Sequence, residues 1–282
     1  MIAIMLEAYP DLSIRRLCAL SGTGRTWYYT HPSADEIAMR EIALRAAIEA
    51  IALEFPGYGY RRITAALRRD GWVVNHKRVL RVMRDESLLC QLQRRFVVTT
   101  DARHGLRTYP NLAATVSLTG PDQLWVSDLT YIRLPTTIVY LAAILDAWSR
   151  RCIGWHLART IETALPLAAL NGALAARQPR PGLIHHSDRG VQYASVAYTA
   201  RLGEVGAQIS MSATGNPYDN AKAESFFKTL KCEEVYLQHY KTFAEAEANL
   251  ERFIDKVYNA KRLHSGLGYR PPIEFEALHA GN

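Results

Sequence analysis

Asp128 sits inside an apolar run, Trp125-Val126-Ser127-Asp128-Leu129-Thr130-Tyr131-Ile132. Asp188 comes sixty positions later, after Leu183-Ile184-His185-His186-Ser187 and before Arg189-Gly190. Thirty-five residues then separate Asp188 from Glu224, within Tyr218-Asp219-Asn220-Ala221-Lys222-Ala223-Glu224-Ser225-Phe226-Phe227-Lys228-Thr229-Leu230-Lys231. The first acid falls within a strand, the second at the C-terminal tip of another, and the third within a helix. On one sheet the three would repel each other unless a cation lay between them. Hard divalent ions with oxygen ligands meet that need. A helix turns about 100° per residue, so Glu224, Lys228 and Lys231 share one side. That places a metal ligand beside two phosphate grips. An exposed ion pair four residues apart is the plainer reading of Glu224 and Lys228 alone. The company of Asp128 and Asp188 favours the first.

Other polar residues near these acids carry two readings each. Asp146 either approaches the same site or caps the turn into Ser149-Arg150, and the turn is the stronger reading. Of His185 and His186, one either orients a ligand or touches phosphate, or else it packs. Asn216 and Asn220 shape the turn and helix start before Glu224. Thr130 and Tyr131 are placed along a groove near Asp128, and Trp125 and Trp155 in the core. Tyr258, Arg262 and His264 either contact nucleic acid or pack the last helix.

The elements that must position the acids form an α/β unit. Strands are expected at Gln123–Ile132, Ile138–Leu145 and Cys152–Leu157, close enough in sequence for an antiparallel meander. A helix at about 162–176, a strand at Leu183–His186, a helix at about 194–204 and a strand at Ala207–Met211 follow. Helices at about 219–235 and 243–259 complete the unit, the latter with Phe243, Leu250, Phe253, Ile254 and Val257 inward. This element order is that of an RNase H-like fold.

Upstream the chain reads as helices. Ile14, Leu17, Cys18 and Leu20 mark a short helix, broken at Gly22 and Gly24, with a second through Trp27 and Tyr28. A longer helix at about 35–54, capped by Ser33 or Asp35, has Ile37, Ile42, Leu44, Ile48 and Ile51 as its expected buried side. Phe55-Pro56-Gly57-Tyr58-Gly59 then turns into a helix at about 60–70, and Asn75–Arg84 makes another. Arg61, Arg62, Arg68, Arg69, Lys77, Arg78, Arg81 and Arg84 are expected to be exposed on this pair, where they could meet DNA phosphates. His76 and His104 read as surface residues.

Composition agrees with a polyanionic partner. The 282 residues carry a formal charge of +7, of which residues 1–110 hold +6 (17 Lys+Arg against 11 Asp+Glu). The four cysteines form no C-x-x-C pair, which argues against a disulfide framework or cysteine zinc site and suits a reducing compartment. The apolar start lacks a basic leader and is interrupted by Glu7, and no run approaches a membrane span. The organisation expected is a small helix-turn-helix-like segment at 1–32, a basic helical DNA-binding domain at 33–90, a basic linker at 91–120 and a catalytic domain with a helical extension at 121–282.

The three acid motifs occur in one order with a closing stretch, Tyr258-Asn259-Ala260-Lys261-Arg262-Leu263-His264-Ser265-Gly266-Leu267-Gly268-Tyr269-Arg270-Pro271-Pro272. Together they resemble the DDE catalytic domain of IS3-family insertion-sequence transposases and of retroviral integrases. The resemblance covers about 120–276, and the helices at about 35–90 resemble the family's helix-turn-helix segment. Leu263 departs from it, standing where the family usually has proline; the expected effect is on local rigidity.

The resemblance implies Asp128, Asp188 and Glu224 as catalytic metal ligands, with Asp128 bridging two Mg²⁺ ions for which Mn²⁺ substitutes. It implies metal-dependent cleavage at element ends followed by transfer of a 3′-hydroxyl, through a circular intermediate. Arg61, Arg62, Arg68, Lys77, Arg78, Arg81, Lys228, Lys231 and Arg262 are the DNA-contact candidates, and His186, Asn220, Tyr258 and His264 secondary site candidates. Expected partners are double-stranded DNA at the element ends and target, further copies of the chain, and the product of an upstream frame, in the cytoplasm and at the nucleoid. A metal nuclease on RNA–DNA hybrids and a catalytically silent DNA-binding regulator are the alternatives. The basic helices and closing motif weigh against the first, and the complete set of acids against the second.

Overall fold

The computed structural model describes residues 5–6, 8–30, 33–90, 107–212 and 220–280. The expected linker therefore lies mostly outside the described residues, as do His104 and the turn through Asn216.

The N-terminal part is helical and includes α1 (Ile14–Leu20), α2 (Arg25–Thr30), α3 (Ala34–Glu54), α4 (Tyr60–Arg69) and α5 (His76–Asp85). Leu17 and Cys18 of α1 are buried, but Leu20 is exposed, contrary to its assignment to the apolar side. Ser33 and Glu36 close a reciprocal capping box at the start of α3. Leu44 and Ile48 are buried with Ile63 and Leu67 of α4 and Val79, Val82 and Met83 of α5, while Ile51 is half-buried. Ile37 and Ile42 correct the expectation, being 53% and 63% exposed. The buried residues of the 21-residue α3 lie in its later part, Leu44 and Ile48, where the two ten-residue helices pack.

The α/β part is built on β1 (Leu124–Arg133), β2 (Ile138–Asp146), β3 (Cys152–Ala158), β4 (Ile184–Ser187) and β5 (Gln208–Met211), in the spatial order β3-β2-β1-β4-β5. The first three form the antiparallel meander; β4 runs parallel to β1, and β5 parallel to β4. The connections are helices α6 (Ala164–Arg177) and α7 (Val196–Glu204). They cover one face through a core that includes Trp125, Leu129, Ala169, Tyr193 and Leu202. Gly154 of β3 lets α6 approach, since a Cβ there would lie 2.4 Å from the Ala169 carbonyl oxygen.

The opposite face is covered by α8 (Ala221–Leu230) and α9 (Phe243–Glu251). Each was expected as one longer helix. Instead α8 widens into a π-helical turn at Lys231–Val235, and α9 into one at Arg252–Asn259. A short 3₁₀ turn and a helix absent from the sequence reading, α10 (Pro272–His279), follow. The sheet sandwiched between helices is the RNase H-like arrangement anticipated from element order. Among the described residues, no helix is long and apolar enough to cross a membrane.

Candidate active site at the edge of the parallel strands

Register brings the first two acids together. Val126 of β1 pairs with His186 of β4 in parallel. Asp128 and Asp188 each lie two residues beyond that last pair, past the end of the ladder, and the charge of Asp188 still acts on the Asp128 carboxyl. Alternation decides the face. Leu124, Val126 and Ile132 of β1 pack in the core shared with α8, so Asp128 turns towards that helix as well.

Local hydrogen bonds hold each carboxylate. Asp128 Oδ1 accepts from the Leu129 amide at 2.8 Å, and Asp188 Oδ1 from the Gly190 amide at 2.9 Å. Gly190 packs closely on this carboxylate, for a Cβ there would lie 3.0 Å from Asp188 Oδ1 and press on it. Burial pushes the Asp128 carboxyl up to about 7; the charges of Asp188 and Glu224 add to it, and Lys231 opposes. The surroundings thus penalise a second and third negative charge, as expected of an acid cluster that works with a cation.

Helix α8 is fixed to the same edge. Ala223, Phe226, Phe227 and Leu230 are buried. Asn220, just ahead of the helix, donates from Nδ2 to the Ser127 carbonyl oxygen at 3.2 Å. Its side chain makes no cap hydrogen bond, so its role differs from the one inferred from residue type. Glu224 stands one turn later, exposed, its amide bonded to the Asn220 carbonyl at 3.1 Å. Lys228 is exposed, while Lys231 is half-buried with Nζ 4.8 Å from the centre of the Tyr131 ring. The donors are all carboxylates, which suits Mg²⁺ or Mn²⁺ in kind. Among the described residues, however, no three His, Cys, Asp or Glu side chains stand close enough to hold a metal ion.

Several secondary candidates prove to be structural. His186 is buried, its ring nitrogens 2.8 Å from Ser210 Oγ and 3.1 Å from Ser212 Oγ, so it joins β4 to the β5 side rather than facing phosphate. His185 lies 3.0 Å from the Tyr198 hydroxyl, and burial pushes its pKa down to about 3. Asp146 is the turn cap, accepting from the Trp148 and Ser149 amides through Oδ1 and from the Asp122 amide through Oδ2. Trp125 is fully buried and Trp155 partly so.

Arg262 requires a correction. It is 3% exposed and forks onto Glu233 at 2.6 and 2.7 Å, out of reach of a duplex. Tyr258 and His264 are buried against one another, ring centres 4.9 Å apart, and are likewise not DNA contacts in this arrangement. Nothing in the spacing of Glu233 and Arg262 signalled their pairing.

The basic helices keep most of their expected surface. Arg61, Arg68, Lys77, Arg78 and Arg81 are exposed. Arg62 is the exception, half-buried with its guanidinium 5.6 Å from the centre of the Tyr58 ring. Arg78 is paired with Glu41, and Arg68 donates to the Val74 carbonyl at 3.2 Å through Nη2. Arg61, Arg68 and Arg69 line an open cleft of about 610 Å³ that also includes Arg270.

Comparison with known proteins agrees with both parts of this architecture. Residues 119–217 and 205–272 match two family profiles described as integrase core domain, and 39–96 match one described as HTH-like domain. The chain is 39% identical over 254 residues to the transposase for insertion sequence element IS904 of Lactococcus lactis, covering 89% of this chain and 100% of that protein. It is 34% identical over 272 residues to transposase InsF for insertion sequence IS3A of Escherichia coli, covering 94% of each. Among solved structures, the HTLV-2 integrase catalytic core domain in complex with magnesium is similar at 12% identity and a TM-score of 0.45, covering 56% of this chain and 97% of that one.

Proposed function

We propose, from the premise that the chain belongs to the IS3 family of insertion-sequence transposases and is a polynucleotidyl transferase with an integrase core, that Asp128, Asp188 and Glu224 are its catalytic acids. The observation that supports the assignment is the strained Asp128 carboxyl, buried at the end of the β1–β4 ladder and acted on by the charges of both Asp188 and Glu224. Two Mg²⁺ ions, or Mn²⁺ in their place, would be held by these three carboxylates. When bound, such a pair activates an attacking oxygen and stabilises the leaving one.

The chain's own residues do the rest. Asp128 gives up the proton that its surroundings favour and presents a carboxylate. Lys228 of α8 and Lys231 of the turn that continues it grip phosphates near the reacting one. In cleavage, water attacks phosphorus and the P–O3′ bond breaks, leaving a 3′-hydroxyl. In joining, that hydroxyl attacks a second phosphodiester, forms a new P–O bond and releases another 3′-hydroxyl. No covalent protein–DNA intermediate is required.

Residues 33–90 would read the element ends, with Arg61, Arg68, Lys77, Arg78 and Arg81 on phosphates, and residues 121–282 would carry the chemistry. Joining two ends calls for a dimer or larger assembly, working on DNA at the bacterial nucleoid, with an upstream-frame product as a further partner. The test is incubation of the protein with a labelled element-end duplex and Mn²⁺ or Mg²⁺. A metal-dependent nick followed by a strand-joined product is expected. Nicking without joining would indicate a nuclease, and binding without nicking a regulator.

A further inference from the structure

The helical unit and the helix bearing Glu224 meet at a buried knot. Arg262 and Glu233 pair through two hydrogen bonds of 2.6 and 2.7 Å, their side chains 4% and 9% exposed. Gly57, in the turn ahead of α4, presses on the same acid, for a Cβ there would lie 2.4 Å from Glu233 Cγ. The adjoining Tyr58 hydroxyl accepts from the Leu263 amide at 2.6 Å. That amide is a donor which proline would lack. Leu263 itself is buried in the core of the helical unit, with Leu44, Ile48, Ile63 and Leu67. Two ion pairs flank the knot, Lys261 with Glu54 at 2.6 Å and Arg69 with Glu274 at 2.5 Å.

Its chain position gives the knot its significance. Glu233 lies in the π-helical turn that directly continues α8, nine residues after Glu224. In the same turn Lys231 rests over Tyr131 of β1. A buried ion pair adds little net stability over an apolar pair of similar size, because both charges lose water. What a two-pronged guanidinium–carboxylate contact does supply is a fixed geometry.

We propose that the Arg262–Glu233 pair, with Gly57, Tyr58 and Leu263 locked around it, is a positioning device that sets the distance between the DNA sequence held by the helical unit and the bond cut at the acid edge. It acts through α8 and touches no DNA. The proposal rests on the transposase reading of the acid site, and goes beyond it by making the domain junction a ruler for the cleavage position.

The test maps cuts at single-nucleotide resolution on a labelled element-end duplex. Arg262→Lys keeps the charge but loses the fork, and Gly57→Ala forces Glu233 aside. Glu54→Gln with Glu274→Gln loosens only the flanking surface pairs, for the case that the buried variants do not fold. Thermal melting identifies the folded variants. Among these, cuts spread over several neighbouring bonds are expected, while end binding and total nicking of unrelated duplex stay within about threefold of the parent. Cuts that remain at one bond in every folded variant, at whatever yield, overturn the proposal and leave the knot a structural clamp. An Asp128→Asn protein run alongside separates the premises: if it still cuts, the acid assignment fails, whatever the junction variants do.

Discussion

Each acid derives its meaning from what surrounds it. Asp128 and Asp146 are both carboxylates on meander strands, yet they do unlike work. Asp146 is saturated by three backbone amides of its own turn and the segment beside it. Asp128 faces Asp188 and Glu224 and is pushed up to about 7 by burial and by their charge. The buried histidines are equally telling. His264 is pushed down to about 3 by burial first, then by the guanidinium charges of Arg262, Arg150 and Arg62. Its unfolded pKa is near 6.5, so between about pH 6.5 and 3 the unfolded chain takes up a proton that the native ring refuses. Stability is intact above that window and falls as pH drops through it, by up to ~1.4 kcal/mol per pH unit for the ring. His264→Gln is expected to flatten part of this acid slope in denaturant melts taken at several pH values. An unchanged slope would mean that the ring does not stay neutral. The positions of the three acids, within a strand, just past a strand and within a helix, were legible in the sequence because strand and helix patterns surround them. The burial of Arg262, Tyr258 and His264 was not, because residue type suggests a wet surface and their partners lie far away in the chain.

Strands and helices were legible wherever apolar periodicity was long. The meander, the two parallel strands and α6 fall within a few residues of their expected bounds. The errors follow from packing that periodicity does not contain. Ile37 and Ile42 have helical spacing but are exposed, and the widened turns after α8 and α9 leave the residue pattern unchanged. Close approach is another such feature. Gly154 sits 2.4 to 2.9 Å, by the position of a Cβ, from the Ala169 carbonyl and from Ala173 of α6. Gly154→Ala should therefore force the helix off the sheet and cost ~1–3 kcal/mol in urea unfolding, whereas a loss below ~0.5 kcal/mol would show that α6 yields freely. On α5 the exposed Arg81 is a test of the DNA-facing surface. Arg81→Ala should weaken end binding and lower the slope of log K against log salt by about one; an unchanged slope would remove it from the phosphate contacts.

The helical unit, the sheet and the closing segment form one connected system through residues far apart in the chain. Leu263 shows this best, since a residue of the closing motif completes the core formed by α3, α4 and α5. Its sequence reading was limited to local rigidity, because neither the Tyr58 hydroxyl nor that core is visible in its own neighbourhood. Leu263→Ala should cost ~2–5 kcal/mol and lower the melting temperature of the helical unit together with the rest; a loss under ~1 kcal/mol would mean the unit does not depend on the closing segment. The account as a whole depends on Asp128, Asp188 and Glu224 acting together on metal ions. Its most direct test is a paired measurement on Asp128→Asn, Asp188→Asn and Glu224→Gln, reading metal-dependent cleavage and end binding in the same preparations. Cleavage and joining should each fall by at least ~10³-fold in every variant while end binding stays within about fourfold. Cleavage at the parent rate in any one of them contradicts the account.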